Sequence, residues 1–330
     1  MSDTSQATSK ITEASVKRLE IPAVFDGMRL DQTLAQLIND RSRVFLQGLI
    51  ADGQVIINNT AATRKTRVRE GDLVQVNFPA VFENVSQAED IAMDVIYEDE
   101  DILVLNKPAG RVVHPGAGNA HGTLMNALLG YDRALFALPR AGIVHRLDKD
   151  TSGLMVVSRN EVVRQKLISL LKEHRVRRRY LALVEGRLIS GGTVDAPIGR
   201  HRQNRLKMTV TRAGKRAVSH YRVVRRLRAH TLVRVDLETG RTHQIRVHMA
   251  HIGHPLFADP LYGRRLAIAA GMDEVTREVM TNFKRQALHA EHLEFDHPVS
   301  GRNLRFDAPL PDDFRQLLAA LDDDNKKAAS

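Results

Sequence analysis

The chain has 330 residues, 43% apolar and 27% charged, values that fit a folded protein with a sizeable core and exclude wholesale disorder. It contains no cysteine, which rules out disulfide frameworks, thiolate zinc sites, thiol nucleophiles and iron–sulfur clusters. Its 49 Lys and Arg against 39 Asp and Glu leave a formal charge of +10, which suits a polyanion without choosing between nucleic acid and a membrane surface.

In chain order, residues 1–20 are polar, of mixed charge and without the apolar stretch of a secretory signal; they read as a flexible tail. Nowhere does an uncharged apolar run approach the roughly 18 residues that a membrane span needs, so a cytoplasmic protein with no membrane contact is expected. Residues 21–80 read as a small compact unit. Leu30, Leu34, Leu37 and Ile38 fall on one face at helical spacing. Ser42 is placed to cap a second helix through Val44, Phe45, Leu49 and Ile50, which Gly53 ends. Extended runs follow at 54–58 and, after a Glu70-Gly71 turn, at 72–77. Two helices and short strands interleaved with Arg43, Arg64, Lys65 and Arg67 resemble the S4 RNA-binding domain. Matching features are Arg29-Leu30-Asp31, Ser42-Arg43, Gly53-x-Val55 and Gly71-Asp72. That resemblance implies RNA contacts from Arg29, Arg43 and Lys65.

Residues 81–90 are polar, acidic and unperiodic, hence a linker. Residues 91–321 form a larger domain in which extended runs at 94–97, 102–106, 180–184, 217–224 and 231–237 mix with a few helices, and residues 322–330 read as a charged tail. The positive charge is segmental: residues 161–230 hold 19 Lys and Arg against 4 Asp and Glu, a local +15, so the other 260 residues sum to −5. Arginine dominates this block, and its planar fork suits phosphate oxygens and base edges.

The most informative stretch runs from Gly142 to Val157, where two apolar runs flank a dense polar turn of His145, Arg146, Asp148, Lys149, Asp150, Thr151 and Ser152. Polar groups crowded between core-seeking runs are expensive unless used, so this turn is expected to line a cleft. An EF-hand-like loop starting at Asp148 would need a bidentate Glu where Arg159 stands, and it fails. A D-x-D-x-T phosphotransferase would need Thr in place of Ser152, and an aspartic protease would need D-T-G or D-S-G. His145, Asp148 and Ser152 lie too close in sequence to surround one nucleophile as a triad. His243, His248, His251 and His254 invite a metal, but a spacing of three drifts around a helix and no acid lies within the run, so no metal is expected.

His145-Arg-Leu-Asp148-x-x-Thr151-Ser-Gly-Leu154 is similar to the signature of the RluA-type pseudouridine synthases, and three further segments match that family in order. They are Asn106-Lys-Pro-Ala-Gly110 with Val113-His-Pro115, then Arg179-Tyr-Leu-Ala-Leu-Val-Glu-Gly186, then Gly240-Arg-Thr-His-Gln-Ile-Arg-Val-His248 with Gly253-His-Pro255 and Asp259-Pro-Leu-Tyr-Gly263. Together they cover about residues 92–310, with the S4-like unit before them.

The resemblance implies an α+β architecture: an S4-like RNA-binding domain, then a pseudouridine synthase domain on a mixed, mainly antiparallel β-sheet. It implies the isomerisation of uridine to pseudouridine, with no metal and no small-molecule cofactor. The partner expected is 23S rRNA, at the helix 69 stem-loop, or a large-subunit precursor, and the enzyme is expected to be a monomer. By the same resemblance Asp148 is the catalytic carboxylate, Arg246 the guanidinium that keeps it ionised against the pull of burial, and Tyr180 a stacking partner for the extruded base. Arg146 is placed to fill the vacated stack, with His145 as a further substrate contact and Lys107 either a substrate phosphate contact or a support for its turn. Extracting a base from folded RNA costs a few kcal/mol. Asp150 is read as structural, holding the turn through backbone N–H groups.

Overall fold

A computed structural model describes residues 15–38, 43–63, 65–78, 87–116, 118–204, 206–264, 268–269 and 271–328. The chain divides into two units, Met1–Val85 and Ser86–Ser330.

In the first unit, strand β1 (Ser15–Glu20) leads into helices α1 (Leu30–Leu37) and α2 (Arg43–Ala51), then strands β2 (Val55–Ile57), β3 (Thr60–Ala61) and β4 (Leu73–Phe78). The sheet order is β1-β4-β2-β3. Leu30, Leu34 and Ile38 bury against Leu46, Leu49, Ile50, Val55, Val74 and Val76, as their spacing requires. Gly53 ends α2 at φ +71, and the Gln54 N–H closes back on the Leu49 carbonyl at 2.9 Å. Ser42 and the side chain of Arg43 lie outside the described residues. The expected tail is corrected over 15–20: β1 pairs antiparallel with β4 from Ser15↔Phe78 to Glu20↔Leu73. Its burial is slight because it is an edge strand, and an edge strand held by backbone pairing leaves little hydrophobic trace in sequence.

The second unit contains β5 (Asp94–Glu98), β6 (Ile102–Lys107), α3 (Leu124–Tyr131), β7 (Ser152–Ser158), α4 (Glu161–Lys172), β8 (Arg177–Glu185) and β9 (Gly192–Asp195). Then come β10 (Ile198–Arg200), β11 (Met208–Val210), β12 (Val218–Arg226), β13 (His230–Leu237), α5 (Gln244–His251), α6 (Glu274–Asn282), β14 (Leu288–Asp296), β15 (Asn303–Asp307) and α7 (Asp312–Lys327). The main sheet has nine strands in the order β5-β6-β7-β14-β8-β13-β12-β9, with β15 also on β14. Pairing is antiparallel except between β7 and β14. Side chains alternate strictly between its faces. Leu103, Leu105, Met155, Val157, Tyr180, Ala182, Val233 and Val235 face one side, where Leu147 and Ile245 join them. Leu181, Leu183 and Leu232 point the other way, toward Met280 of α6 and Phe314, Leu317, Leu318 and Leu321 of α7. Ile102, Val104, Leu154 and Val156 face α4 through Val163, Leu167 and Leu170.

Two further expectations change. Residues 322–327 are the last turns of α7 rather than a tail: Leu321 and Asp324 are buried, and Arg228 reaches Asp324 at 3.3 Å. The second half of the expected linker is docked, since Asn126 donates to the Gln87 carbonyl at 2.8 Å and the Gly122 N–H donates to Glu89 at 3.0 Å. Residues 79–86 lie outside the described residues.

The parallel junction of β7 and β14 has no room for a side chain at Gly153. Its φ is +117, and a Cβ there would lie 2.3 Å from the Ala290 carbonyl oxygen. Gly153→Ala is expected to cost more than about 2 kcal/mol of stability, read by chemical denaturation, because it combines strain with a backbone clash five residues from Asp148.

Candidate active site

The polar turn sits between a tight bend at 139–142 and the start of β7, and its backbone is held from behind. Lys107 ends β6 fully buried, and its Nζ donates to the carbonyls of Pro108, Arg111 and Lys149 at 2.7, 3.0 and 2.9 Å. Burial pushes its pKa down to about 7 against the opposing charges of Asp150 and Asp148. Lys107 is therefore a brace for the loop and not a substrate contact, since all three donor hydrogens are taken by backbone. Arg285 braces the next residue: its Nη1 donates to the Asp150 carbonyl at 3.1 Å while Nε and Nη2 fork onto Asp313 at 2.6 and 2.8 Å. Asp150 thus holds the turn through its carbonyl rather than its side chain.

With the loop fixed, Asp148 presents its carboxylate to α5. Arg246 donates from Nη1 to Asp148 Oδ2 at 3.0 Å, and from Nε and Nη2 to Asp259 at 2.7 and 2.8 Å. Arg246 is 4% exposed, and the Asp259 side chain is sealed. Burial draws the guanidinium pKa down, but Asp259 and Asp148 together outweigh it and hold the charge firmly. Asp259 is itself oriented by the N–H groups of Leu261 and Tyr262 at 2.9 and 3.1 Å. The Tyr262 ring lies under Arg246, 5.1 Å from the guanidinium carbon to the ring centroid.

His243 closes the site from the start of α5, in the left-handed conformation at φ 56. Its Nδ1 meets the Tyr262 hydroxyl at 2.8 Å and its Nε2 lies 3.8 Å from Asp148 Oδ1. The Tyr262 hydroxyl accepts the Met208 N–H at 2.8 Å, which leaves its own hydrogen for Nδ1 and the ring proton on Nε2, toward Asp148. Burial lowers the His243 pKa and keeps the ring neutral.

Tyr180 lies on the same face of β8 as Ala182 and Val184, 6% exposed. Burial raises its pKa, Arg178 opposes and the Asp148 charge adds to the rise. Arg146 is exposed and forms no ion pair or hydrogen bond among the described residues, which frees it for a ligand. His145 does not face substrate with its Nε2, which accepts the Val156 N–H at 3.0 Å; it is a structural anchor of β7. In the first unit Lys65 is exposed, whereas Arg29 donates to the buried Asp31 at 3.0 Å and shares it with Gln47 at 2.7 Å. His248 spends its ring nitrogens on Ser219 Oγ and the Ala196 carbonyl, and His254 its Nδ1 on the Glu185 carbonyl, so neither is arranged as a ligand.

Sequence reasoning placed Asp148, Tyr180 and Arg246 together and missed Asp259, His243 and Tyr262 as site residues. The last three stood inside quoted motifs, without an assigned part. Arg285 stood in none, and only the fold reveals it.

A carboxylate held by a buried, doubly paired arginine thus lies near a tyrosine on a mixed sheet, in a chain that begins with a small helix–strand unit. The chain belongs to the RNA pseudouridylate synthase family, whose model matches residues 101–251, and an S4 domain matches residues 28–74. Among its relatives, the ribosomal large subunit pseudouridine synthase D of Xanthomonas campestris is 48% identical over 98% of both chains. The protein of the same name from Pseudomonas aeruginosa is 49% identical over 93% of this chain and 96% of its own. Human RNA pseudouridylate synthase domain containing 1 is a structural likeness with TM-score 0.52 and 26% identity, over 68% of this chain and 86% of its own.

Burial holds the pKa of His145 down to about 3, so its native ring is neutral while the unfolded ring titrates near 6.5. The unfolded state therefore binds the extra proton, and stability falls as pH drops from about 6.5 toward 3, by at most about 1.4 kcal/mol per unit for this group. His145→Gln is expected to flatten the stability profile between pH 6 and 4, measured by denaturant titration at each pH.

Proposed function

We propose that this RNA pseudouridine synthase acts on 23S rRNA, at uridines of the helix 69 stem-loop, on an extruded base, with Asp148 as its catalytic carboxylate. The observation that carries the reading is the Asp148–Arg246–Asp259 chain: one carboxylate is turned to the cleft, and its counter-charge is locked in place by a second carboxylate that never meets solvent. The names of the relatives, ribosomal large subunit pseudouridine synthases, support the large-subunit RNA as substrate.

The isomerisation breaks N1–C1′, turns the uracil and forms C5–C1′; the C5 hydrogen leaves and N1 gains one. Atoms and electrons balance within the nucleotide, so the chemistry asks for a nucleophile or base at sugar or ring, a way to hold the detached uracil, and proton transfer. Asp148 supplies the first. Tyr180, on the cleft floor, supplies a face for the ring. His243, with its N–H toward Asp148, orients that carboxylate's second oxygen. Arg146, at the rim and unpaired, is the side chain suited to enter the stack that the uridine leaves.

Purified enzyme is expected to release tritium from 23S rRNA labelled with [5-³H]uridine in the presence of EDTA. Asp148→Asn is expected to bind that RNA with unchanged Kd and release none; full release by the variant would remove Asp148 from its part. Lys65→Glu in the S4 domain is expected to weaken RNA binding severalfold and lower the slope of log Kd against log salt by about 1, with kcat unchanged. An unaltered salt slope would place the phosphate contact elsewhere.

A further inference from the structure

Arg178, like Arg146, is a cation near Asp148 that meets no carboxylate among the described residues. Arg178 precedes Tyr180 by two residues on β8, so both side chains leave the same face of the sheet. It is 9% exposed, and among the described residues it donates no hydrogen bond and meets no carboxylate; its Nε is sealed from solvent without a partner. The neighbours on either side in sequence point outward and are paired, Arg177 with Glu294 at 3.2 Å and Arg179 with Asp236 at 3.0 Å. The guanidinium lies against Gly240, where a Cβ would come within 2.6 Å of Nη1. Its charge bears on Tyr180 and His145, which places it beside the base-binding face and the catalytic loop.

A guanidinium cannot shed its proton in a protein, and a buried charge without a counter-charge is costly. The same cleft shows the ordinary solution at Arg246, which has two carboxylates. At Arg178 the described residues provide none, and residue 240 has no side chain, which leaves room beside Nη1. We propose that Arg178 is the anion site of the substrate cleft and grips the non-bridging oxygens of a phosphodiester adjoining the target uridine. The proposal rests on the reading that the cleft takes a uridine within RNA. Such a nucleotide brings carbonyls, hydroxyls and phosphodiesters, and only the phosphodiester carries the charge that a buried guanidinium lacks. Fixing the backbone beside Tyr180 would set how far the ribose enters toward Asp148.

The test is a cycle between one side chain and one phosphate. Stem-loop RNA substrates carry an uncharged methylphosphonate at the phosphodiester 5′ or 3′ of the target uridine, and kcat and KM are measured for the enzyme and for Arg178→Met. One of the two replacements is expected to raise KM about tenfold or more for the unaltered enzyme. Arg178→Met is expected to show a similar rise on unmodified RNA and no further rise on that replacement, and Arg178→Lys to regain part of the coupling. The thermal midpoint of free Arg178→Met is expected to equal or exceed that of the parent, because an unpaired buried charge has been removed; a structural arginine would give a lower one. Equal penalties in parent and Met variant for both replacements overturn the proposal, including the case in which Arg178 bonds the uracil instead. Failure of the parent enzyme to form pseudouridine in unmodified RNA would instead overturn the functional reading beneath it.

Discussion

The buried chain Asp148–Arg246–Asp259 is the interaction on which the site depends. A lone arginine at 4% exposure would be strongly unfavourable, and a lone carboxylate beside it nearly as much. Joined, they form a rigid fork: Asp259 fixes the plane of the guanidinium through two nitrogens and leaves Nη1 aimed at Asp148. The backbone N–H groups at 261 and 262 hold Asp259, and the Tyr262 ring lies beneath the guanidinium. The position of the Asp148 carboxylate is thus set by groups behind the guanidinium that never contact it directly.

The same economy governs the loop that carries Asp148. Its carbonyls at Lys149 and Asp150 are held by Lys107 and Arg285, one from the end of β6 and one from the segment before β14, itself tied to the start of α7. Strand β7 runs parallel to β14 at the glycine that allows close approach. Three cations around the site therefore differ in work. Lys107 braces backbone, Arg246 balances carboxylates, and Arg178 has no protein partner among the described residues.

The charge pattern gained meaning in the same way. The +15 of residues 161–230 marked a block suited to a polyanion. In the folded chain Arg175, Arg177, Arg225 and Arg228 meet acids from β14 or α7, segments with an acidic excess. Arg200, Arg202 and Arg222 meet no carboxylate among the described residues, so the surface open to a polyanion is narrower than the linear count.

Helices α1 and α2 and the main strands were legible because apolar spacing is a local property of a chain, and the partnership of Asp148 with Arg246 came from the family resemblance. Edge strand β1 was not, since backbone pairing needs no particular side chains, and the last turns of α7 were hidden by an acidic run whose buried face shows only at helical spacing. Lys107 was left between a phosphate contact and a support for its turn, and His145 was read as a substrate contact, because a motif states which residues gather and not which way they turn. Those directions follow from backbone partners, the Lys149 carbonyl 42 positions from Lys107 and the Val156 N–H 11 positions from His145. The sequence by itself determined the family and the two-unit order, and it singled out the polar turn around Asp148. Only the tertiary structure decided which charges are neutralised and which face the cleft, because burial and counter-charge are properties of neighbours in space.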